Sequence, residues 1–237
     1  MMLRCQIADL LVEVPTAGDM FPRCKDYLTL ADGNADIKIC AEEYRFHVWH
    51  RLDENGVCYM ESGIQFYTQL VAFEGMMLHA SAVELEGKAY LFSGPCGMGK
   101  STHTHLWQQT FGGTAQVFND DKPALRRIEG KWYAYGTPWC GKDGINQNRK
   151  VPLAGICFLK QAEENCIRQL SQTEAMIKVI SQTRKKFKEA EQAELMLGHV
   201  EKLVREIPIF ELQNRPEPEA ARLSYETMRH KAEEMGL

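Results

Sequence analysis

The sequence predicts an α/β protein, and three observations carry that prediction. Residues Gly94 to Ser101 read Gly-Pro-Cys-Gly-Met-Gly-Lys-Ser, directly after the strand-like run Lys88 to Ser93 and directly before a helical stretch. Downstream, strand-like and helix-like segments alternate, as they do when helices cover the faces of a sheet. Upstream, the first 60 residues show short β-like runs at Gln6 to Val14, Asp36 to Cys40 and Tyr44 to Trp49, with a turn expected at Asn55-Gly56 before Val57. The chain therefore divides into a small N-terminal α+β region, residues 1–74, placed to bind a substrate, and a larger unit, residues 75–237.

Each element from residue 63 onward has a local reason. Gly63 to Phe73 spaces its apolar residues as a helix does. Met77 to Glu84 and Lys88 to Ser93 form a hairpin across Glu86-Gly87, and the helix from residue 99 to 110 stops at Gly112-Gly113. Ala115 to Asn119 is the next strand, expected parallel to the first and beside it. Ala124 to Tyr135 reads as a hairpin broken at Glu129-Gly130-Lys131, and Val151 to Lys160 as a core strand. Ser171-Gln-Thr-Glu174 has capping-box spacing before a helix reaching about Arg184, and Lys188 to Glu206 continues as an amphipathic helix. The basic run Arg184 to Lys188 reads as a solvated helix end. A short strand at Ile209 to Leu212 and a helix from Glu217 to Met235, entered through Pro216 and Pro218, complete the chain.

Composition narrows the function classes. A formal charge of −4 argues against broad attraction to nucleic acid or to an anionic membrane. No apolar run is long enough for a membrane span, and Asp9 and Glu13 interrupt the stretch where a secretory signal would lie, so the expected compartment is the cytoplasm. The eight cysteines, at 5, 24, 40, 58, 96, 140, 157 and 166, lack paired zinc-knuckle spacing and are expected to be reduced thiols. Nothing in the composition opposes a homo-oligomer.

The loop carries the chemistry. Glycines let successive backbone N–H groups turn toward the phosphates of a nucleoside triphosphate such as ATP. Lys100 reaches the β/γ oxygens, and the Ser101 hydroxyl suits Mg²⁺. Gly94, Pro95, Cys96, Gly97, Met98, Gly99, Lys100, Ser101 and Thr102 are accordingly the expected nucleotide-binding residues. Cys96 is a small filler in the loop. Asp120-Asp121 ends the strand expected next to the loop. In extended backbone neighbouring side chains point apart, so one carboxylate would meet Mg²⁺ and the other an attacking hydroxyl; alternatively both serve the metal. His103 and His105, two apart on a helix, do not form a metal pair.

His79-Ala-Ser-Ala-Val83, Tyr90 to Thr102 and Phe118-Asn-Asp-Asp121 together resemble the C-terminal catalytic domain of HPr kinase/phosphorylase and the wider group of small kinases sharing its P-loop, phosphoenolpyruvate-carboxykinase-like nucleotide fold. Gly136-Thr-Pro-Trp-Cys-Gly-Lys142 and Pro208 to Leu212 look like a branch of short homologues found in peptide-modifying gene clusters. The resemblance covers roughly residues 75 to 225. It implies that Asp120 is the general base toward a seryl hydroxyl, that Asp121 with Ser101 binds the metal, and that His79 either acts at the site or holds adjacent strands. The family's substrate-gripping arginine has no equivalent here, leaving Lys142 or Arg149 to supply the charge. Residues 1–75 do not resemble the regulatory half of the bacterial enzyme, so HPr is not the expected substrate. Segments that bind oxaloacetate in full carboxykinases are missing, so decarboxylation is not expected.

The expected function is thus an ATP-dependent kinase acting on the serine of a peptide or protein. The alternatives are a small-metabolite hydroxyl kinase of the shikimate-kinase type, which the 93 residues before Gly94 disfavour, or a non-catalytic nucleotide-sensing interaction protein. Thr137 to Lys150, polar and glycine-containing with Trp139 near its start, is expected to close over the site as a lid carrying Lys142.

Overall fold

The computed structural model describes residues 1–183, 187 and 189–237. The run Arg184, Lys185, Lys186 and Lys188 lies outside them. Near the N-terminus β1 (Met2–Ile7), β2 (Leu10–Pro15) and β3 (Ile37–Lys38) form a three-stranded sheet, with α1 (Met20–Cys24) beside it. The β1–β2 turn uses Ala8 (φ 52°) and Asp9 (φ 58°), the paired left-handed conformation of a tight hairpin. That turn is tied to the larger sheet: Tyr135 Oη and Lys150 Nζ reach the Asp9 carboxylate at 2.6 and 2.7 Å, and Arg126 donates to the Ala8 carbonyl at 2.6 Å.

The helix α2 (Glu54–Leu70) departs from the sequence expectation at its start. Asn55 and Gly56 lie inside its first turn because Asp53 caps it, accepting the Gly56 N–H at 2.8 Å. Tyr44 to Trp49 likewise forms short 3₁₀ turns, not a strand. The buried side of α2 (Cys58, Phe66, Tyr67, Leu70) joins Ile7, Val12 and Ile37 of the small sheet to Ala124 and Tyr135 of the large one and to Trp139 in the connector after it. The N-terminal region therefore shares a core with the rest of the chain.

The large sheet contains β4 (Gly75–Met77), β5 (Ala80–Leu85), β6 (Lys88–Ser93), β7 (Gln116–Asp121), β8 (Ala124–Ile128), β9 (Lys131–Tyr135) and β10 (Lys150–Gln161), in the order β4-β8-β9-β10-β6-β5-β7. Beyond β10 lie β12 (Ile209–Asn214) and β11 (Cys166–Gln169), a short strand that the sequence reading leaves out. The long β10 joins two halves: Lys150 to Pro152 pair antiparallel with β9, and Leu153 to Phe158 parallel with β6.

Alternation along β6 sorts its side chains between two helical layers. Tyr90 and Phe92 pack with Trp107 of α3 (Lys100–Phe111) and Met228 of α6 (Pro218–Glu234). Ala89 and Leu91 join Val179 of α4 (Gln172–Gln182) and Leu203 of α5 (Ala190–Glu206). The capping box at Ser171 and Glu174 is fully formed.

One expectation about topology is corrected. β7 runs in the same direction as β6 but is not its neighbour, because β5 pairs antiparallel with both. Ala80 at the start of β5 is opposite Ser93 on one side and Asp121 on the other. The loop after β6 and the carboxylates ending β7 are still brought to one place, with His79 immediately before β5 between them.

Candidate active site

The loop between β6 and α3 adopts left-handed backbone at Gly97 (φ 81°) and Gly99 (φ 93°). A Cβ at either would meet nothing within 4 Å, so it is backbone conformation and not space that requires glycine there. Pro95, Cys96 and Gly97 are exposed at the loop's tip, Met98 folds against Gly94, and Thr102 is exposed on α3. Helical bonding begins at once, with His103 N–H donating to the Gly99 carbonyl at 2.8 Å, so the positive end of α3 lies at the loop.

Lys100 is 9% exposed, and its Nζ donates to the carbonyls of Gly94 and Pro95 at 3.0 and 3.3 Å. Burial lowers its pKa, partly offset by Asp121, Cys96 and Asp120. Ser101 Oγ lies 3.1 and 2.9 Å from the two oxygens of Asp120.

The second carboxylate has different company. Asp121 accepts from Tyr59 Oη at 3.0 Å, lies 3.1 Å from His79 Nε2, and binds Lys122 Nζ. Burial alone would raise its pKa, but the His79 hydrogen bond and the Lys122 charge outweigh it and hold the carboxyl well below the usual range. Burial and then the Asp121 charge push the Tyr59 phenol up, which keeps it a donor. Lys122 Nζ also donates to Tyr59 Oη at 2.6 Å and sits 4.4 Å from that ring's centre; Arg23 covers the same ring at 4.8 Å. His79 Nδ1 lies 3.2 Å from Gln182 Oε1, linking the site to the end of α4. Asp121 itself has φ 126°, a costly conformation for a residue with a Cβ and one that tends to be kept at functional positions.

Lys100, Ser101, Asp120, Asp121 and His79 thus converge, and it is Asp120, not the Asp121 that the resemblance groups with Ser101, that lies against the Ser101 hydroxyl. Asp120 meets Ser101, and Asp121 turns to His79, Tyr59 and Lys122. Arg149 is elsewhere: it pairs with Glu84 at 2.8 Å and Gln116 at 2.7 Å, toward the far end of β5 and β7. It cannot supply the substrate-gripping charge. His103 is buried against Ser224, and burial lowers its pKa to about 3, while His105 is exposed, so the two make no metal pair.

Thr137 to Lys150, expected as a lid, is bonded along the sheet in this structure. Its backbone runs along the outer edge of β7: Gly141 N–H donates to the Asp120 carbonyl, Asp120 N–H to Ile145 at 3.2 Å, and Gln147 N–H to Phe118 at 2.9 Å. A Cβ on Gly141 would lie 3.0 Å from the Asp120 carbonyl, so a side chain there would push the strand back by a few tenths of an ångström. Trp139 is fully buried, stacked on Phe66 at 4.7 Å and bonded through Nε1 to Ser62 at 3.0 Å. The segment is a pinned connector. Lys142 is exposed at its turn and makes no hydrogen bond or ion pair with the described residues.

Tyr59 and Lys122 are the site residues that sequence reasoning misses. Lys122 had a signal, since it directly follows the aspartate pair. Tyr59 had none, because only the placement of α2 brings it to Asp121.

The family model for SynChlorMet cassette protein ScmC matches residues 53–215, more than half of the chain. The chain belongs to the ScmC family. The ScmC match starts at the cap of α2 and ends just past β12, so it takes in every residue of the site except Arg23 and leaves out β1 to β3. Among solved structures, the chain is similar to the HPr(Ser) kinase/phosphatase from Coxiella burnetii, at 11% identity and a TM-score of 0.40, over 68% of this chain and 92% of that one. No curated protein matches the sequence. Among the described residues, no helix is long and apolar enough to cross a membrane.

Proposed function

We propose that this ScmC-family protein is an ATP-dependent kinase that moves the γ-phosphoryl group onto a hydroxyl, that of a serine in a peptide or protein. The observation that carries the reading is the meeting of Ser101 with Asp120 at the head of α3, while Asp121 turns to a separate cluster. Two carboxylates with different surroundings suit a reaction with two sides, a charged nucleotide and a neutral hydroxyl.

On the nucleotide side, loop N–H groups and Lys100 would take the phosphates. Ser101 and Asp120 offer hard oxygen donors that fit Mg²⁺, the rest of whose shell would come from phosphate and water. Among the described residues, no group of three or more His, Cys, Asp or Glu side chains is arranged to hold a metal by itself. The ion, when bound, neutralises charge on the phosphate oxygens.

On the acceptor side, Asp121 receives the hydroxyl and orients it in line with the phosphorus. A carboxylate held this far below its ordinary pKa is a weak base, which suits a loose transition state in which positioning and charge dominate. His79 and Tyr59 fix the Asp121 side chain. Lys122 takes the part the sequence assigns to Lys142, a cation beside the transferring oxygens.

The test is incubation with γ-labelled ATP, Mg²⁺ and serine-containing peptides, followed by mass spectrometric location of the label. Label on serine is the expected result. Nucleotide-dependent partner binding without transfer to any hydroxyl would replace this reading with that of a nucleotide sensor.

A further inference from the structure

A cleft of about 860 Å³ is lined by Tyr59 and Lys122, two of the partners of Asp121, and extends from them along α2. Its floor is one stripe of α2, where Tyr59, Gly63 and Tyr67, and beside them Met60, Ile64 and Thr68, recur at four-residue spacing. Through Thr68, Gln69 and Gln192 it continues into a shallower groove of about 320 Å³ that reaches Val71 and Phe73. From Tyr59 to Phe73 a helical rise of ~1.5 Å per residue makes the trough roughly 20 Å long. That is the length of about six residues of extended chain.

Its walls are set in advance. Glu61 is 2% exposed, gripped by both Arg45 nitrogens at 3.2 and 3.1 Å and by Trp49 Nε1 at 2.5 Å. Gln65 bonds the N–H and carbonyl of Cys40 at 2.8 and 3.0 Å, and Gln69 those of Lys38 at 3.4 and 2.9 Å. These side chains occupy the free edge of β3 and of the two residues that follow it, so an incoming chain cannot simply extend the small sheet. At the joint between the two grooves, Gln192 Oε1 is buried with no hydrogen-bond partner among the described residues. An acceptor left in that state calls for a donor such as a peptide N–H.

We propose that this trough holds the acceptor as an extended peptide, its hydroxyl-bearing residue at the Tyr59 and Lys122 end and the flanking residues laid along α2. The proposal rests on the kinase reading and adds where the peptide binds and that it lies extended, with its flanking residues along α2. A compact metabolite would fill only the inner end; the stripe of Ile64 and Thr68 and the outer groove have a use only for something long.

The probe is a library of serine-centred octapeptides compared with N-acetylserinamide. Octapeptides should be phosphorylated far better than the amide. Ile64→Arg and Thr68→Arg should each raise the octapeptide KM by at least about tenfold with little loss of kcat. Cys40 lines the cleft and is exposed, as are Cys96 and Cys166 outside it, so maleimide labelling gives a second readout independent of catalysis. Bound octapeptide should slow labelling of Cys40 and leave Cys166 unchanged. Wild-type KM in both arginine variants, or equal use of N-acetylserinamide, overturns the trough while leaving the kinase reading intact. Protection of Cys40 without any phosphorylation keeps the trough as a peptide site and overturns the chemistry. Neither protection nor phosphorylation overturns both.

Discussion

The two sides of the aspartate pair are built in different ways. On the side proposed for the nucleotide, Lys100 and Ser101 are neighbours at the start of α3, and Asp120 alone comes from elsewhere. On the side proposed for the acceptor, Tyr59 comes from α2, His79 from just before β5 and Lys122 from beyond β7, and they meet only around Asp121. Main-chain binding of phosphate can be carried by a contiguous stretch, because glycine conformations and a helix end supply the donors. Orienting a hydroxyl needs converging side chains, and only the folded chain collects those. The second arrangement also bears the cost of Asp121's backbone, a strain of order 1–3 kcal/mol.

The largest expected effect strikes one side alone. Asp121→Asn should slow phosphoryl transfer by about 10²–10⁴-fold while nucleotide binding persists, read by single-turnover transfer beside nucleotide titration. Equal losses of binding and transfer would mean that the two sides are not separable. Next, Trp139→Ala should remove about 3–5 kcal/mol of stability in urea unfolding, because a fully buried ring pins the connector to α2. A loss near zero would restore the lid. Lys100→Ala is the converse of the Asp121 variant. At a hundredfold excess over its dissociation constant Mg-nucleotide should stabilise the wild type by about 2.7 kcal/mol, and most of that should vanish in the variant. A thermal shift equal to that of the wild type would remove the loop from nucleotide binding. Smallest is Lys142→Ala, expected to change transfer by less than about threefold, since the side chain is exposed and unpaired with any described residue. A loss approaching that of Asp121→Asn would return the cationic role from Lys122 to Lys142.

The same contrast explains what was legible in the sequence. The glycine turn between β6 and α3, the hairpin entering it and the capping box at Ser171 are local patterns, and all three appear where the residues put them. The start of α2 was hidden because Asn55-Gly56 is a strong turn signal, overridden by the Asp53 cap and by burial of Cys58, Phe66 and Tyr67 against both sheets. The insertion of β5 between β6 and β7 follows from its pairing with both, which no single segment encodes. That the aspartate pair would arrive at the loop was legible, and which way each side chain turns was not. Asp121's positive φ and the strand-like contact of Cys140 with it are products of the connector lying along β7.

The central claim is that Asp120 faces the nucleotide and its metal while Asp121 faces the acceptor. Its most direct test is the Mg²⁺ dependence of nucleotide binding, followed by thermal shift with and without chelator, in Asp120→Asn and Asp121→Asn. The geometry predicts that Asp120→Asn loses the Mg²⁺-dependent part of the stabilisation and that Asp121→Asn keeps it. Loss in Asp121→Asn with full retention in Asp120→Asn would contradict the assignment and return the metal to Asp121.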